Sequence, residues 1–332
     1  MYSTLPKIII ESNDGKIWQR DQRVLDLYEH SLQGNPFLVH LNNEGPCAKE
    51  LGLYALLDDI CARTKLSKEK ITIQTCNLIE KHDQYSIKIT PPIKHIQNLQ
   101  NWVKQGKICV KQSSDIIKHF GHFIGHSSRF RLAIGAHLYH HHQDKTTQTF
   151  HSSPKNELHT EFIGLEDLWL NDYTLDEVDR AVEFLKHMPL RFDHVDNGPI
   201  YHMKMYGILD AYCDIFLDIV CNTYIKGTTF YMDEKLWRPI ITKTPFIVHG
   251  PKNFIKNFRK LGFKTFNDWW DEGFSEDYAD CQVKSIISIV DRLSRLSLNE
   301  LQEMYNSMLP TLNHNLEVFM NLTSTEFFKE YE

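Results

Sequence analysis

The seven cysteines form no CxxC pair and are odd in number, so neither a zinc ribbon nor a complete disulfide framework is expected. They read instead as reduced, mostly buried thiols of a cytoplasmic protein. No stretch approaches the roughly eighteen apolar residues that a membrane-crossing helix needs. The opening MYSTLPKIIIESNDG has a short apolar run followed by charge, which fits neither a signal peptide nor an anchor, so no membrane insertion is expected. Positive charge is also short. Against 43 Asp and Glu stand 37 Lys and Arg, a net charge of −6 with 18 neutral histidines. That argues against a protein that coats nucleic acid non-specifically, though a local basic groove stays open. Internal repeats and low-complexity tracts are absent.

What is present is a core-forming composition, 42% hydrophobic and 24% charged, over 332 residues, a length that suits two domains of ordinary size. Short β-rich runs alternate with helical patterns. Lys7–Glu11, Pro36–Leu41 and Ile71–Cys76 read as strands, and Ala48–Arg63 between the last two has helical apolar spacing. This is the strand–helix–strand unit of parallel sheets. His119–Ile124 and Thr147–Phe150 read as strands around a helix at Arg129–His140. Thr174 with Glu177, and Ser297 with Glu300, form capping boxes that open helices. The second helix is expected to end at Pro310. Ile215–Val220 and Pro245–His249 are further strands, followed by helices at Pro251–Leu261 and Gln282–Arg295. The turn-rich Asp193–Pro199 is the expected domain boundary, giving an N-terminal α/β domain over 1–195 and a C-terminal one over 196–332.

Charge is segregated in the second half. From Thr242 to Lys264 there are six Lys and Arg and no acid; from Asp268 to Asp280 there are six acids and no Lys or Arg. Two solvated helix faces would give the same pattern. Beside it, however, the strand PFIVH runs into Gly250-Pro251 and a helix start, where backbone N–H groups attract phosphate. Upstream, Glu234-Lys235 sits at an expected helix start. A carboxylate there suits ribose hydroxyls and an ammonium suits a diphosphate.

The run Phe230–Ile240 (FYMDEKLWRPI), then Pro245–Gly250 (PFIVHG), then Leu261–Phe266 (LGFKTF) resembles a phage and bacterial glycosyltransferase-like family with an EK…PFI…GFKTF pattern. The EK core is similar to the donor-site motif of α1,3-fucosyltransferases, with Asp233 where Thr is usual. Ser127–Arg131 (SSRFR), after a strand and opening a helix, resembles the place where such enzymes set an Arg on the donor diphosphate. Arg131 fits best and Arg129 is its neighbour. The resemblance implies a GT-B-like α/β fold of two Rossmann-type domains with a helical C-terminus. It also implies transfer of a sugar from a nucleoside diphosphate sugar to a hydroxyl. Arg129, Arg131, Glu234, Lys235, Arg238 and Gly250 would bind the donor. The acceptor would be a hydroxymethylated DNA base or a glycan, in the cytoplasm of a bacterium or a virus-infected host cell. A protein that keeps the fold and binds a nucleotide or glycan without catalysis is the alternative.

No DxD triplet is present, so no metal or other cofactor is expected at the donor. Glu44, after the PFLVHL strand and before a helix, is the candidate base for the acceptor proton. A helix-leading Glu also serves simply as a dipole partner. His140-His141-His142 cannot chelate one ion, because consecutive helical residues point apart. His137 and His141 are correctly spaced for two ligands, but no motif supplies a third.

Overall fold

The computed structural model describes residues 7–10, 22–41, 44–91, 93–108, 111–125, 127–150, 173–190 and 205–322. They contain two four-stranded sheets, parallel throughout, in a mixed α/β, Rossmann-like fold. The first sheet follows chain order: β1 (Lys7–Ile10), β2 (Phe37–Leu41), β3 (Ile71–Thr75) and β4 (Ser86–Ile89). Helix α1 (Gln22–Leu32) lies between β1 and β2, and α2 (Leu53–Thr64) between β2 and β3. Every residue of β2 is buried. A parallel strand is covered on both faces and therefore reads as a continuous apolar run. Leu27, Leu53, Leu57 and Ile60 from the helices share one core with Phe37, Val39, Leu41, Ile71 and Ile73.

After α3 (Ile93–Lys104) comes the second sheet, ordered β6-β5-β7-β8. Its strands are β5 (Lys118–Ile124), β6 (Thr146–Phe150), β7 (Ile215–Cys221) and β8 (Phe246–His249). Helix α4 (Arg129–His142) carries the chain from β5 outward to β6. Two helices, α5 (Leu175–Lys186) and α6 (Met205–Asp214), precede β7, and α7 (Glu234–Ile241) leads on to β8 on the opposite side. Because the strand order reverses between β5 and β7, the loops at their carboxyl ends diverge and leave a crevice, the usual ligand position in open α/β sheets. The chain finishes with α8 (Phe254–Lys260), α9 (Ala279–Leu293) and α10 (Leu298–Asn321).

Three expectations need correction. The boundary at Asp193–Pro199 lies outside the described residues, but β5 and β6 before it share a sheet with β7 and β8 after it. The break between the sheets therefore falls earlier, between β4 and β5. Pro310 does not end its helix: α10 runs through it to Asn321. A proline inside a helix removes one hydrogen bond and costs about 3 kcal/mol. Here that is offset by continued burial of Leu301, Tyr305, Met308, Leu312 and Phe319 on one face. Finally, Cys213 is disulfide-bonded, so the thiols are not all reduced. Both capping boxes are present as expected. Among the described residues no helix is long and apolar enough to cross a membrane.

Helix α3 follows the first sheet in sequence yet packs on the second core, through Ile96 and Leu99. Its buried Gln100 donates from Nε2 to the carbonyls of Phe319 (2.8 Å), Leu322 (3.1 Å) and Met320 (3.4 Å). The last carbonyls of a helix have no partner within it, and this side chain supplies one. Replacing Gln100 by Ala is expected to lower stability by about 1–2 kcal/mol in chemical unfolding, the range for a buried group left without its partner. An unchanged midpoint would show that water serves those carbonyls equally well.

Candidate functional site

The connection from β7 to α7 lies along the carboxyl edge of the first sheet. Leu78 N donates to Phe230 O and Phe230 N to Asn77 Oδ1, both at 2.9 Å. Asn77 Nδ2 donates to Thr228 O at 2.9 Å, and Thr229 Oγ1 to Gly45 O at 2.5 Å. Two glycines permit this approach. At Gly45 (φ +65°) a Cβ would fall 2.9 Å from the Cβ of Tyr231. At Gly227 (φ +74°) it would fall 2.3 Å from Glu50 Cγ. Behind the contact, the buried Glu80 accepts from Tyr54 Oη (2.7 Å), Asn77 Nδ2 (2.8 Å) and Ala48 N (3.2 Å). Those three bonds make it a structural carboxylate.

Beside this contact opens a cleft of about 680 Å³. Glu50 and Ile79 line it from the first sheet's side, and Arg129 and Phe130 from the start of α4. Lys252, Lys256 and Lys260 form one wall, with Lys226 nearby; Asp277 and Asp280 stand at the start of α9. Lys256 and Lys260, four apart on α8, share one helix face, and Lys252 joins them from the turn before Asn253, whose backbone is left-handed at φ +64°. Positive and negative runs of the sequence thus meet across a single opening. At the opening Arg129 Nη2, from outside both runs, lies 2.9 Å from Asp280 Oδ2. The ion pair that joins the two runs is Arg259 with Glu272, at 2.7 Å.

The other expected donor residues lie deeper. Arg131 is 5% exposed, and its Nη2 donates to Cys221 O (3.0 Å) and Thr223 Oγ1 (3.2 Å). It ties the start of α4 to the end of β7, which a solvated first-turn arginine would not do. Lys235 Nζ contacts Asp233 Oδ2 at 2.7 Å and Glu234 Oε1 at 3.1 Å, and also reaches Thr223 Oγ1 at 3.5 Å. Asp233 caps α7, accepting from the backbone of Lys235 and Leu236. This is the capping role a Thr would take at the same position. Burial lowers the Lys235 ammonium, but Asp233 and Glu234 outweigh it and hold the group above its ordinary value. Burial likewise raises Glu234, and Lys235 and Arg238 overcome it, so this carboxyl sits below the usual range.

Arg238 is 4% exposed, lies 3.9 Å from Glu234 Oε1, interacts with Tyr212 and Asp218, and is not in the cleft lining. Gly250 offers no free amide, since its N–H donates to Gln282 Oε1 at 3.2 Å. A Cβ there would meet Asn222 and Val248 at 3.2 Å, so this glycine serves close packing. Glu44 is half-buried at the end of β2, and its charge is felt at the Tyr231 phenol together with those of Asp233 and Glu234. It thus lies on the EK side of the sheet contact; the carboxylate that lines the cleft from the first sheet's side is Glu50. The cleft lysines were missed from sequence, although Lys256 and Lys260, four apart within the basic run, were a usable signal. Among the described residues, His137, His142 and Asp291 form a group able to hold a metal ion. No protein-family model matches this chain, and no curated protein sequence matches it.

Two histidines sit under the switch point. Gln148 Nε2 donates to His122 Nδ1 at 3.3 Å, and His249 Nε2 faces Ala279 O at 3.1 Å, where it must donate. Burial, reinforced by Arg131, pushes His122 down to about 3 and His249 down to about 4. Both folded values lie below the unfolded value of about 6.5. Their contribution to stability is therefore fully present above that pH and is lost as pH falls toward the folded values. For His249 alone the loss is on the order of 3 kcal/mol by the acid end. Urea unfolding is expected to show a histidine-dependent fall in stability between about pH 7 and 4.5, set against the opposite contribution of Asp218, whose carboxyl is pushed up to about 7 by burial. The fall should be shallower in His249→Gln, and equal slopes would remove His249 from this role.

Proposed function

We propose that the chain is a glycosyltransferase that moves a sugar from a nucleoside diphosphate sugar to a hydroxyl, with no metal ion at the donor. The observation that carries this reading is the cleft at the β5–β7 switch point, walled by Lys252, Lys256 and Lys260 beside Arg129. Fixed positive charge in such a place stabilises a diphosphate as it leaves, and preorganised charge of this kind supplies most of the rate enhancement in many enzymes. The EK pair at the start of α7, joined to Arg131 through Thr223, supports the same reading. In it, the first sheet's half presents the acceptor and the second the donor, as in a GT-B-like pair of Rossmann-type domains. The acceptor is a hydroxymethylated DNA base or a glycan.

In this scheme the lysines take the diphosphate, and Arg131 positions the β7 loop from below. Glu234, one third exposed, remains the group for a ribose hydroxyl. Calorimetry with UDP, GDP, CDP and ADP is expected to give binding that survives EDTA. Lys256→Ala should weaken it by about 1.5–3 kcal/mol, the size of a charge-assisted bond. Lys264→Ala, from the same run but not in the cleft lining, should leave it unchanged. Failure of all four nucleotides to bind would overturn the reading.

A second reading has one observation in its favour. Lys235 is engaged with both Asp233 and Glu234, Glu234 is also near Arg238, and Glu44 is not in the cleft lining. A nucleotide- or glycan-binding protein without catalysis would suit that arrangement. Turnover separates the two. If Glu44 takes the acceptor proton, Glu44→Gln lowers transfer by roughly 10²–10⁴-fold with donor binding intact. If the cleft carboxylate does so, Glu50→Gln shows that loss instead. Nucleotide binding with no transfer to either acceptor class selects the non-catalytic reading.

A further inference from the structure

We propose that His137, His142 and Asp291 form a binding site for a zinc-type divalent cation that fastens α4 to α9. The two imidazoles converge: His137 Nε2 and His142 Nε2 each lie 2.7 Å from the same oxygen, Asp291 Oδ1. All three ligand atoms lie within 4.8 Å of one another. Without a cation, both rings must aim an N–H at one carboxylate oxygen. With one, two neutral imidazoles and a carboxylate supply the nitrogen and oxygen donors that zinc takes, at about 2.0–2.2 Å.

The pairing differs from the helical pair expected at His137 and His141. His142 is the last residue of α4, and its backbone has left the helix at φ −140°, ψ 25°. That turn releases its ring from the helical track, so residues five apart reach one point. The third ligand comes from α9, about 150 residues on, which no local spacing reveals. His141 lies alongside, its ring centroid 4.7 Å from that of His137, and the fourth position is left for it or for water. Nearby cations are turned elsewhere: Arg180 pairs with Asp176 at 2.6 Å, and Lys145 donates to Ser294 O at 2.7 Å.

This site is separate from the cleft. His137 is eight residues beyond Arg129, roughly 12 Å along α4. The same two helices carry Arg129 and Asp280, so a cation here fixes, from their far ends, the elements that meet at the cleft. The role is structural, and the test contains no nucleotide, so its outcome does not depend on the glycosyl-transfer reading.

The full chain, stripped with chelator and dialysed, is titrated with zinc against a chromogenic competitor, and its thermal midpoint is followed. One bound equivalent and a zinc-dependent rise in midpoint are expected. His142→Gln and Asp291→Asn should each weaken binding at least about tenfold and remove the rise. Cys281→Ser and His314→Gln, which change other candidate ligands, should do neither. Should His142→Gln fail to fold, Asp291→Asn at its half-exposed position and the ligand-field bands of cobalt in the wild-type chain decide the matter. No zinc retained by the wild type, no tetrahedral cobalt bands, or binding indifferent to Asp291→Asn would each overturn the proposal.

Discussion

The side-chain amide of Asn77 is wholly buried between the two sheets and has every bonding position filled. Its Nδ2 donates to Glu80 Oε2 and Thr228 O, and its Oδ1 accepts from the backbone of Ile79 and Phe230. An amide offers two donors and two acceptor positions, and here all four are used. Buried polar groups are tolerated only when satisfied, so this contact admits one arrangement of the β7–α7 connection against the first sheet. The cleft walls, the EK pair and the neighbourhood of Glu44 all follow from where that connection lies. Gly45 and Gly227 belong to the same constraint, because a side chain at either would hold the two surfaces apart.

Charge is organised in two tiers around this contact. The deep tier is self-compensating: Lys235 with Asp233 and Glu234, Glu234 with Arg238, and Arg131 with a carbonyl and a hydroxyl. Buried charges left unpaired are costly, so these groups shape the loops. The shallow tier has cations in excess on one wall, where Lys256 and Lys260 are exposed beside Lys252, which lies over the Tyr278 ring. Only such a tier has charge to give to an anion. The donor residues suggested by family resemblance fall mainly in the deep tier, and the ones that line the cleft fall mainly in the shallow one. Arg129 belongs to both, since it lines the cleft and still holds Asp280.

Much of the local structure was legible from residue order. The runs FLVHL and FIVH are mostly apolar and ITIQT is rich in β-branched residues, as suits parallel strands covered on both faces, and all three are strands here. The capping boxes at Thr174 and Ser297 mark helix starts because the bonding groups lie within one turn. Helices α1, α3 and α6 and strand β4 escaped notice; β4 is short and carries only a mixed pattern, SIKI. Pro310 misled for a different reason. The local cost of a proline is visible in sequence, whereas the burial that offsets it depends on partners far along the chain.

The sequence by itself determined the mixed α/β class, the parallel strand–helix alternation, the segregated charge runs and the position of Glu234-Lys235 at a helix start. These rest on interactions within a few residues, where spacing alone sets geometry. Only the tertiary structure decided that β5 and β6 join β7 and β8, that Arg131 is buried under the β7 loop, and that Lys252, Lys256 and Lys260 wall a cleft. It alone brought Asp291 to the histidines at the end of α4 and Asn77 to Thr228 and Phe230. Each of these depends on contacts between residues tens to hundreds of positions apart. Their choice is made by burying apolar surface and satisfying buried polar groups together, which no local pattern encodes.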